Sequence, residues 1–495
     1  MSFMKLIFKF AVVLGCMNLL AGCAVNPVTG KQNFTLMSEA DEIQKGQEAA
    51  AEIRKAYGTY EDLPSLQSYV NEVGQKLAKK SHRPQLDYHF TVLDSPQVNA
   101  FALPGGHIYI TRGILAYLNS EAELAAVLGH EIGHVTARHI VRQYSASVAA
   151  NTAATLGGLL VGIFVPQLGG QAIQGIQSLL GITGSVLVLG YGRGHELEAD
   201  RLGAEYLARN RYDPQAMIRV IRVLKNQELF DIEAAKQEGR EPRRYHGLFA
   251  THPDNDTRLQ KVVGEAEQYV QPGATDDRRT QFLHQTEGMA FGDVANQGVV
   301  RGNSFQHKEL GFALSFPINW RIKNKPDEVL AISPDGDALM ALSLFGSADG
   351  SPADVARERL NLGSSTEILS TTYNGLPVAL VTSITRQGKP YKAGVIYHDN
   401  KAYLLAGSAD SPVAFERHQS EISGTIESFR PLTDREKQSL RPLEIRTIKA
   451  TEGLRYADLA RKSPLTTNAE SYLRLLNGQY PEGEPEAGQI IKIVK

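Results

Sequence analysis

Apolar residues recur at helical spacing over six stretches of the first half of the chain: Ser38–Tyr57, Leu63–Lys80, Ser120–Tyr144, Arg193–Asn210, Asp213–Asn226 and Asp256–Tyr269. A stripe of that period predicts helices that bury one face. Two shorter runs, Asp87–Leu93 and His107–Ile110, read as strands, the second entered through the turn-rich Leu103-Pro104-Gly105-Gly106. Past residue 304 the period changes. Phe312, Leu314 and Phe316 alternate, and Pro317 and Trp320 follow as a turn. Val329–Ile332, Leu339–Leu344, Val378–Ile384, Lys392–Tyr397 and Tyr403–Ala406 continue as strands, and Ser411–Phe429 reads as a closing helix. The tail offers a strand at Thr447–Lys449, helices at Tyr456–Arg461 and Ala469–Asn477, and a strand over Gly488–Ile493. The pattern therefore predicts a multidomain chain. A mainly helical unit spans 36–270, a polar linker 271–304, an α+β antiparallel-sheet domain 305–432, and a small βααβ module 440–495.

The first residues break this pattern. Lys5 and Lys9 precede an apolar run from Phe10 to Leu20, which ends in Leu20-Ala21-Gly22-Cys23. A short apolar core closed by small residues is expected to be a secretory signal over 1–22, followed by a tether over 23–35. The Leu-Ala-Gly-Cys ending resembles a bacterial lipobox, which implies a mature chain lipidated at Cys23. Ala24, where Asp would retain a lipoprotein at the inner membrane, implies the periplasmic face of the outer membrane of a Gram-negative envelope. The only other cysteine, Cys16, lies in the segment expected to be removed. No thiol then remains for a disulfide, a nucleophile or a metal, so a metal site must use His and carboxylate. A second anomaly lies between Arg142 and Arg193, where no residue is charged and Pro166 with Gly169-Gly170 divides two apolar halves. Each half is short against the ~20 residues of a membrane span. Two readings stand for 143–192: helices or a flap packed over the active site, or a surface that dips into lipid or grips unfolded substrate. A formal charge of -2 gives no sign of a nucleic-acid partner.

The chemistry concentrates at His130-Glu131-Ile132-Gly133-His134. On a helix, residues four apart share a face, so both imidazoles can reach one ion, and Glu131 lies beside them to act on a water. A catalytic zinc usually has three protein ligands, and the third must come from downstream. The best candidate is Glu196 in Gly194-His195-Glu196-Leu197-Glu198-Ala199-Asp200. Asp200, one turn on, can fix the tautomer of a ligand histidine, while Glu198 points elsewhere. His139 and His195 read as ordinary histidines. His139 lies nine residues after His130, a half-turn round the helix.

These motifs resemble the M48 zinc metallopeptidases: H-E-x-x-H on one helix, E-x-x-x-D on a later one, Asn99-Ala100-Phe101-Ala102-Leu103-Pro104-Gly105-Gly106 before a strand, and Thr251-His252-Pro253 with Arg258 beyond. The resemblance covers about 36–270 and is to the periplasmic type of the family. It implies a zincin-like (gluzincin) fold and one Zn²⁺ per chain on His130, His134 and Glu196. It also implies Glu131 as general base and cleavage of misfolded or misassembled envelope proteins. His252 resembles the family's mobile histidine, which occupies the fourth zinc position at rest or stabilises the oxyanion; a structural histidine beside Pro253 is the other reading. The strand His107, Ile108, Tyr109 and Ile110 could pair with an extended substrate. The chain departs from the periplasmic type in its C-terminal half, where no tetratricopeptide helix pairs are evident.

Gly311–Trp320 is similar to the opening of PsbP/Mog1-like domains, and the tail resembles a LysM module in outline. LysM modules bind peptidoglycan-type glycans, but Thr451-Glu452-Gly453 replaces the usual Gly-Asp-Thr turn. The leading expectation is a zinc metalloendopeptidase of envelope quality control. Its rival is a lipid-anchored chaperone or scaffold for outer-membrane assembly with a latent protease site. A peptidoglycan-remodelling enzyme would draw on the tail alone.

Overall fold

The structure is a computed structural model that describes residues 23–146, 192–237, 277–292, 298–324, 328–385, 388–440, 442–465 and 468–495. The expected signal segment, residues 147–191 of the uncharged stretch, His252 with its flanking motif, and the helix expected at Asp256–Tyr269 lie outside the described residues. The chain divides into two units, residues 1–291 with 444–495, and residues 292–443.

In the first unit, the expected tether carries a small hairpin of β1 (Cys23–Val25) and β2 (Gln32–Phe34). Helix α1 (Glu39–Tyr57) starts where Ser38 accepts a hydrogen bond from the Asp41 amide, an N-cap that contributes about 1 kcal/mol. Helix α2 (Pro64–Ala78) places Pro in its first turn and buries Leu66, Tyr69, Val70, Val73 and Leu77 along one stripe. A three-stranded sheet follows, in the order β3 (His89–Leu93), β5 (His107–Thr111), β4 (Ala100–Ala102), with β3 parallel and β4 antiparallel to β5. Beyond α3 (Arg112–Tyr117), the helix α4 (Glu121–Thr136) is buried at every residue. No face of it meets water because α2, α5 (Arg193–Arg209) and α6 (Ala216–Gln237) pack around it.

Three expectations change here. The single helix expected over Ser120–Tyr144 breaks after Thr136, and residues 139–146 are helical again. Arg138 takes a positive φ of 54° at the break, held by Glu42 and the Met37 carbonyl. The strand His107–Ile110 is not an edge: Ile108–Ile110 pair on both sides, and the outer strands of this sheet are β3 and β4. Within the polar stretch 271–304, α7 (Arg279–Gln285) is helical and β6 is a strand (Ala290–Phe291). Phe282 and Leu283 of α7 are buried. Two adjacent apolar residues in a polar sequence are enough to anchor a two-turn helix but too few to show a period.

The second unit begins inside that same stretch, with β7 (Val299–Arg301) paired to β8 (Ser304–His307), which pairs with β9 (Phe312–Ser315). A seven-stranded antiparallel sheet contains β10 (Arg321–Asn324), β11 (Glu328–Ile332), β12 (Ala338–Ser347), β13 (Leu369–Tyr373), β14 (Leu376–Ile384), β15 (Pro390–His398) and β16 (Lys401–Ala409). Its order is β10-β11-β12-β16-β15-β14-β13. Leu330, Ala341, Ala406, Ala393 and Val381 lie in one register line across five strands. One core gathers Phe305, Phe312, Trp320, Met340, Leu405 and Phe429 with Ile422 and Ile426 of α9 (Pro412–Ser428). A second core sets Val355 and Ala356 of α8 (Pro352–Arg359) against Ala379, Val395 and Ala402. This is the α+β arrangement that alternation predicts.

The tail returns to the first unit. Its elements run β17 (Leu443–Lys449), α10 (Tyr456–Ala460), α11 (Ala469–Leu476) and β18 (Ile490–Val494). β18, β17 and β6 form one sheet. Lys492 is fully buried, and its ammonium donates to the carbonyls of Ala116 and Leu118. No helix of the described residues is long and apolar enough to cross a membrane.

Candidate metal centre

Helix α4 is fixed at its start. Ser120 caps it by accepting from the Glu123 amide. Glu121 in the first turn, where the helix dipole favours a negative charge, accepts from Tyr69 Oη (2.7 Å), Tyr212 Oη (2.6 Å) and Arg278. Two turns later come His130, Glu131 and His134, all buried.

Helix α5 crosses α4 at backbone contact distance, and small residues make that possible. A Cβ on Gly133 would lie 3.0 Å from the Ala199 carbonyl oxygen. A Cβ on Gly203 would lie 3.1 Å from the His130 nitrogen. Any larger side chain at either position would push the helices apart. Because they touch, Glu196 and Asp200, one turn apart on α5, both face the histidines.

Nε2 of His130 and Nε2 of His134 lie 3.0 Å apart. Glu196 Oε2 is 3.6 Å from His130 Nε2, and Oε1 is 3.7 Å from His134 Nε2. His130, His134 and Glu196 form the one cluster of this kind among the described residues, with ligand atoms all within 4.8 Å of one another. Zinc bonds of about 2.1 Å in a tetrahedron set ligand atoms about 3.4 Å apart, so this donor set and spacing fit Zn²⁺. Asp200 Oδ1 lies 2.8 Å from His130 Nδ1, on the ring edge facing away from the cluster. That is the position from which a carboxylate holds a ligand imidazole in the tautomer that leaves Nε2 bare.

The break in α4 brings in residues that sequence reasoning passed over. His139 Nδ1 lies 2.8 Å from His134 Nδ1. His139 Nε2 lies 3.2 Å from Glu198 Oε2, which also accepts from Arg142 Nη1 at 2.9 Å. His195 stacks on the His139 ring at 4.3 Å between centroids. His139 and His195 are therefore not remote histidines, and Glu198, expected to point elsewhere, faces this group. Burial pushes the His139 imidazole down to about 4. Burial works to raise the Glu198 carboxyl, but hydrogen bonds from His139 and Arg142 outweigh it and hold it at about 2. The only signal in the sequence was the density of His and Arg after the motif, His134-Val135-Thr136-Ala137-Arg138-His139. Helical projection placed His139 on the wrong side because it assumed no break.

His107 stacks on His89 at 4.8 Å, and burial pushes its imidazole down to about 4.

Two helices in contact carry a His–His–carboxylate cluster across the contact, a donor set suited to a metal ion. Residues 64–266 match peptidase family M48. Among named relatives, the chain is similar to the beta-barrel assembly-enhancing protease of Escherichia coli (strain K12), 29% identical over 245 residues, covering 49% of this chain and 47% of the relative. The Yersinia pestis protein of the same name is 31% identical over 208 residues, covering 41% and 40%. The mitochondrial metalloendopeptidase OMA1 of Schizosaccharomyces pombe is 30% identical over 193 residues, covering 38% and 54%. The chain thus spans about half the length of the relatives it matches. A solved cyanobacterial PsbP from Synechocystis sp. PCC 6803 aligns at 11% identity and a TM-score of 0.22, covering 28% of this chain and 98% of that one. So slight a likeness carries no argument about the second unit.

Proposed function

We propose that this chain is a zinc-dependent endopeptidase that cleaves misfolded or misassembled proteins of the cell envelope. The observation that carries the proposal is the His130–His134–Glu196 cluster formed across two touching helices. The family match and the relatives' names support the reaction class and the envelope setting. Zinc held by these three residues would supply Lewis acidity, polarising a scissile carbonyl and lowering the pKa of a water to about 7. Glu131 accepts the proton of the attacking water and hands it to the leaving amine. Asp200 keeps His130 oriented and its Nε2 free of hydrogen. In this reading the outer strand β4 takes the substrate-pairing role expected of His107–Ile110. His252 is the residue proposed to occupy the fourth zinc position at rest or to stabilise the oxyanion.

The proposal also places the protein at the periplasmic face of the outer membrane, tethered through lipidated Cys23, with the LysM-like tail as a candidate glycan contact. Fractionation of a Cys23→Ser protein tests the tether, and loss of membrane association is the expected result. The catalytic reading is tested by Glu131→Gln in the full chain. Unfolded casein should be cleaved at a rate about 10²–10⁴-fold lower, with zinc content unchanged. A wild-type protein that retains one zinc per chain yet cleaves nothing would instead favour a lipid-anchored scaffold for outer-membrane assembly.

A further inference from the structure

The two histidines of the cluster are held in different ways. His130 meets its carboxylate directly, through Asp200. Nε2 of His134 faces Glu196 and His130, and its Nδ1 faces His139.

The polarity of that contact follows from the metal reading. If His134 Nε2 is a ligand, its lone pair is committed and the ring hydrogen sits on Nδ1. Nδ1 of His139 must then accept it, which leaves the His139 hydrogen on Nε2. That hydrogen points at Glu198 Oε2, an acceptor that Arg142 also holds. One consistent chain of donors runs from His134 through His139 to Glu198, with no group asked to donate twice or accept against its tautomer.

The backbone is arranged to make this contact. Were α4 continuous, His139 would sit five residues past His134, about 140° round the helix and out of reach. The turn at Ala137-Arg138 folds it back. That turn is locked by Arg138, whose guanidinium lies 2.7 Å from Glu42, itself buried and shared with Arg83 at 2.8 Å. His195 stacks on the far face of the His139 ring at an interplanar angle of 20°. The ring is thus fixed in plane, in tilt and at both nitrogens.

We infer that His139 is a positioning residue for the metal site: it accepts the Nδ1 hydrogen of His134 and, through Glu198, supplies that ligand with the carboxylate support that His130 receives from Asp200. The inference rests on the metallopeptidase reading of the same site. Each ligand imidazole then has its own anionic partner, one direct and one relayed by a neutral ring.

The test uses the full-length chain and two readouts besides turnover: zinc affinity by competition with a chromophoric chelator, and the visible absorption of the cobalt-substituted protein. His139→Leu keeps bulk and removes the acceptor. His139→Gln keeps a carbonyl to accept from His134 and an amide to donate to Glu198. Glu198→Gln leaves the ring and removes the charge. His139→Leu should weaken zinc binding about 10–100-fold and shift the cobalt bands. His139→Gln should recover most of that loss, and Glu198→Gln should lower affinity in the same direction by a smaller factor. Equal zinc affinity in His139→Leu and wild type overturns the inference. So does an equal loss in His139→Leu and His139→Gln, since a packing role alone would produce it. Should His139→Leu fail to fold by circular dichroism, Glu198→Gln decides: unchanged affinity and an unchanged cobalt spectrum overturn the inference. Failure of the parent reading is separate, because it would show as wild-type protein that binds no zinc.

Discussion

Between residues 292 and 443, the polar side chains buried among the described residues are Ser333, His418 and Thr425, and the rest of that interior is aliphatic or aromatic. The unit with the metal-type cluster buries Arg83, Arg112, Glu42, Glu121, Glu131, Glu196 and Asp200 in its interior. An apolar interior asks only for shape and volume, so many side chains satisfy it. A buried charge demands one partner at one place, and removing that partner leaves an ion without water. The sheet unit is therefore specified by alternation, whereas the first unit is specified by pairings between residues distant in the chain. Arg83 and Arg138 meeting on Glu42 is one such pairing, and Tyr69, Tyr212 and Arg278 meeting on Glu121 is another.

The contrast can be broken most sharply at Glu42. Glu42→Ala takes the carboxylate from the buried Arg138 and leaves Arg83 with Glu39 alone, and equilibrium denaturation should show a loss of about 3–5 kcal/mol. A loss below 1 kcal/mol would mean that water reaches the pair and that the interior is less committed than it looks. Met340→Ala probes the apolar counterpart, since Met340 is fully buried on β12, and it should cost about 2–5 kcal/mol. Its neighbours can relax, so Met340→Leu should restore most of that, while no single uncharged residue should rescue Glu42. Asp200→Asn sharpens the comparison in function: zinc affinity should fall about 10–100-fold with little change in global stability, read by chelator competition beside circular dichroism. At the small end, Arg461 and Asp458 form a pair with the arginine side chain 71% exposed. Arg461→Ala should change stability by less than about 0.5 kcal/mol, as expected of a solvated ion pair.

Much of this organisation could be read from residues alone, and the parts that could not share a cause. The strands of the second unit follow alternation closely, and Leu339–Leu344 widens only to Ala338–Ser347. The H-E-x-x-H helix and the downstream Glu196 and Asp200 are legible because both motifs obey helical spacing, and the folded chain brings them together. What failed depended on a change of direction. The α4 break at Ala137-Arg138 turns on a positive φ at an arginine, a residue type that carries no turn signal. Strand β13 (Leu369–Tyr373) escaped because Leu-Ser-Thr-Thr-Tyr holds few apolar positions at the sheet edge. The central place of His107–Ile110 was hidden because strand order is a property of the whole sheet. The role of Gly133 and Gly203 was equally invisible, since a glycine in a helix says nothing of what approaches it.

The grip of Lys492 on Ala116 and Leu118 joins positions 376 and 374 residues apart. Burial pushes that ammonium well below the ordinary lysine range, so the contact forms only inside a closed interior. Ribosomes make proteins in one direction, and the carbonyls that receive this lysine emerge long before it does. The first unit thus waits, with its last strand missing, while all of the second is synthesised. An interior assembled in this order closes only after the whole of the second unit has been made, and a chain that stops before Ile490 would leave those carbonyls without their donor.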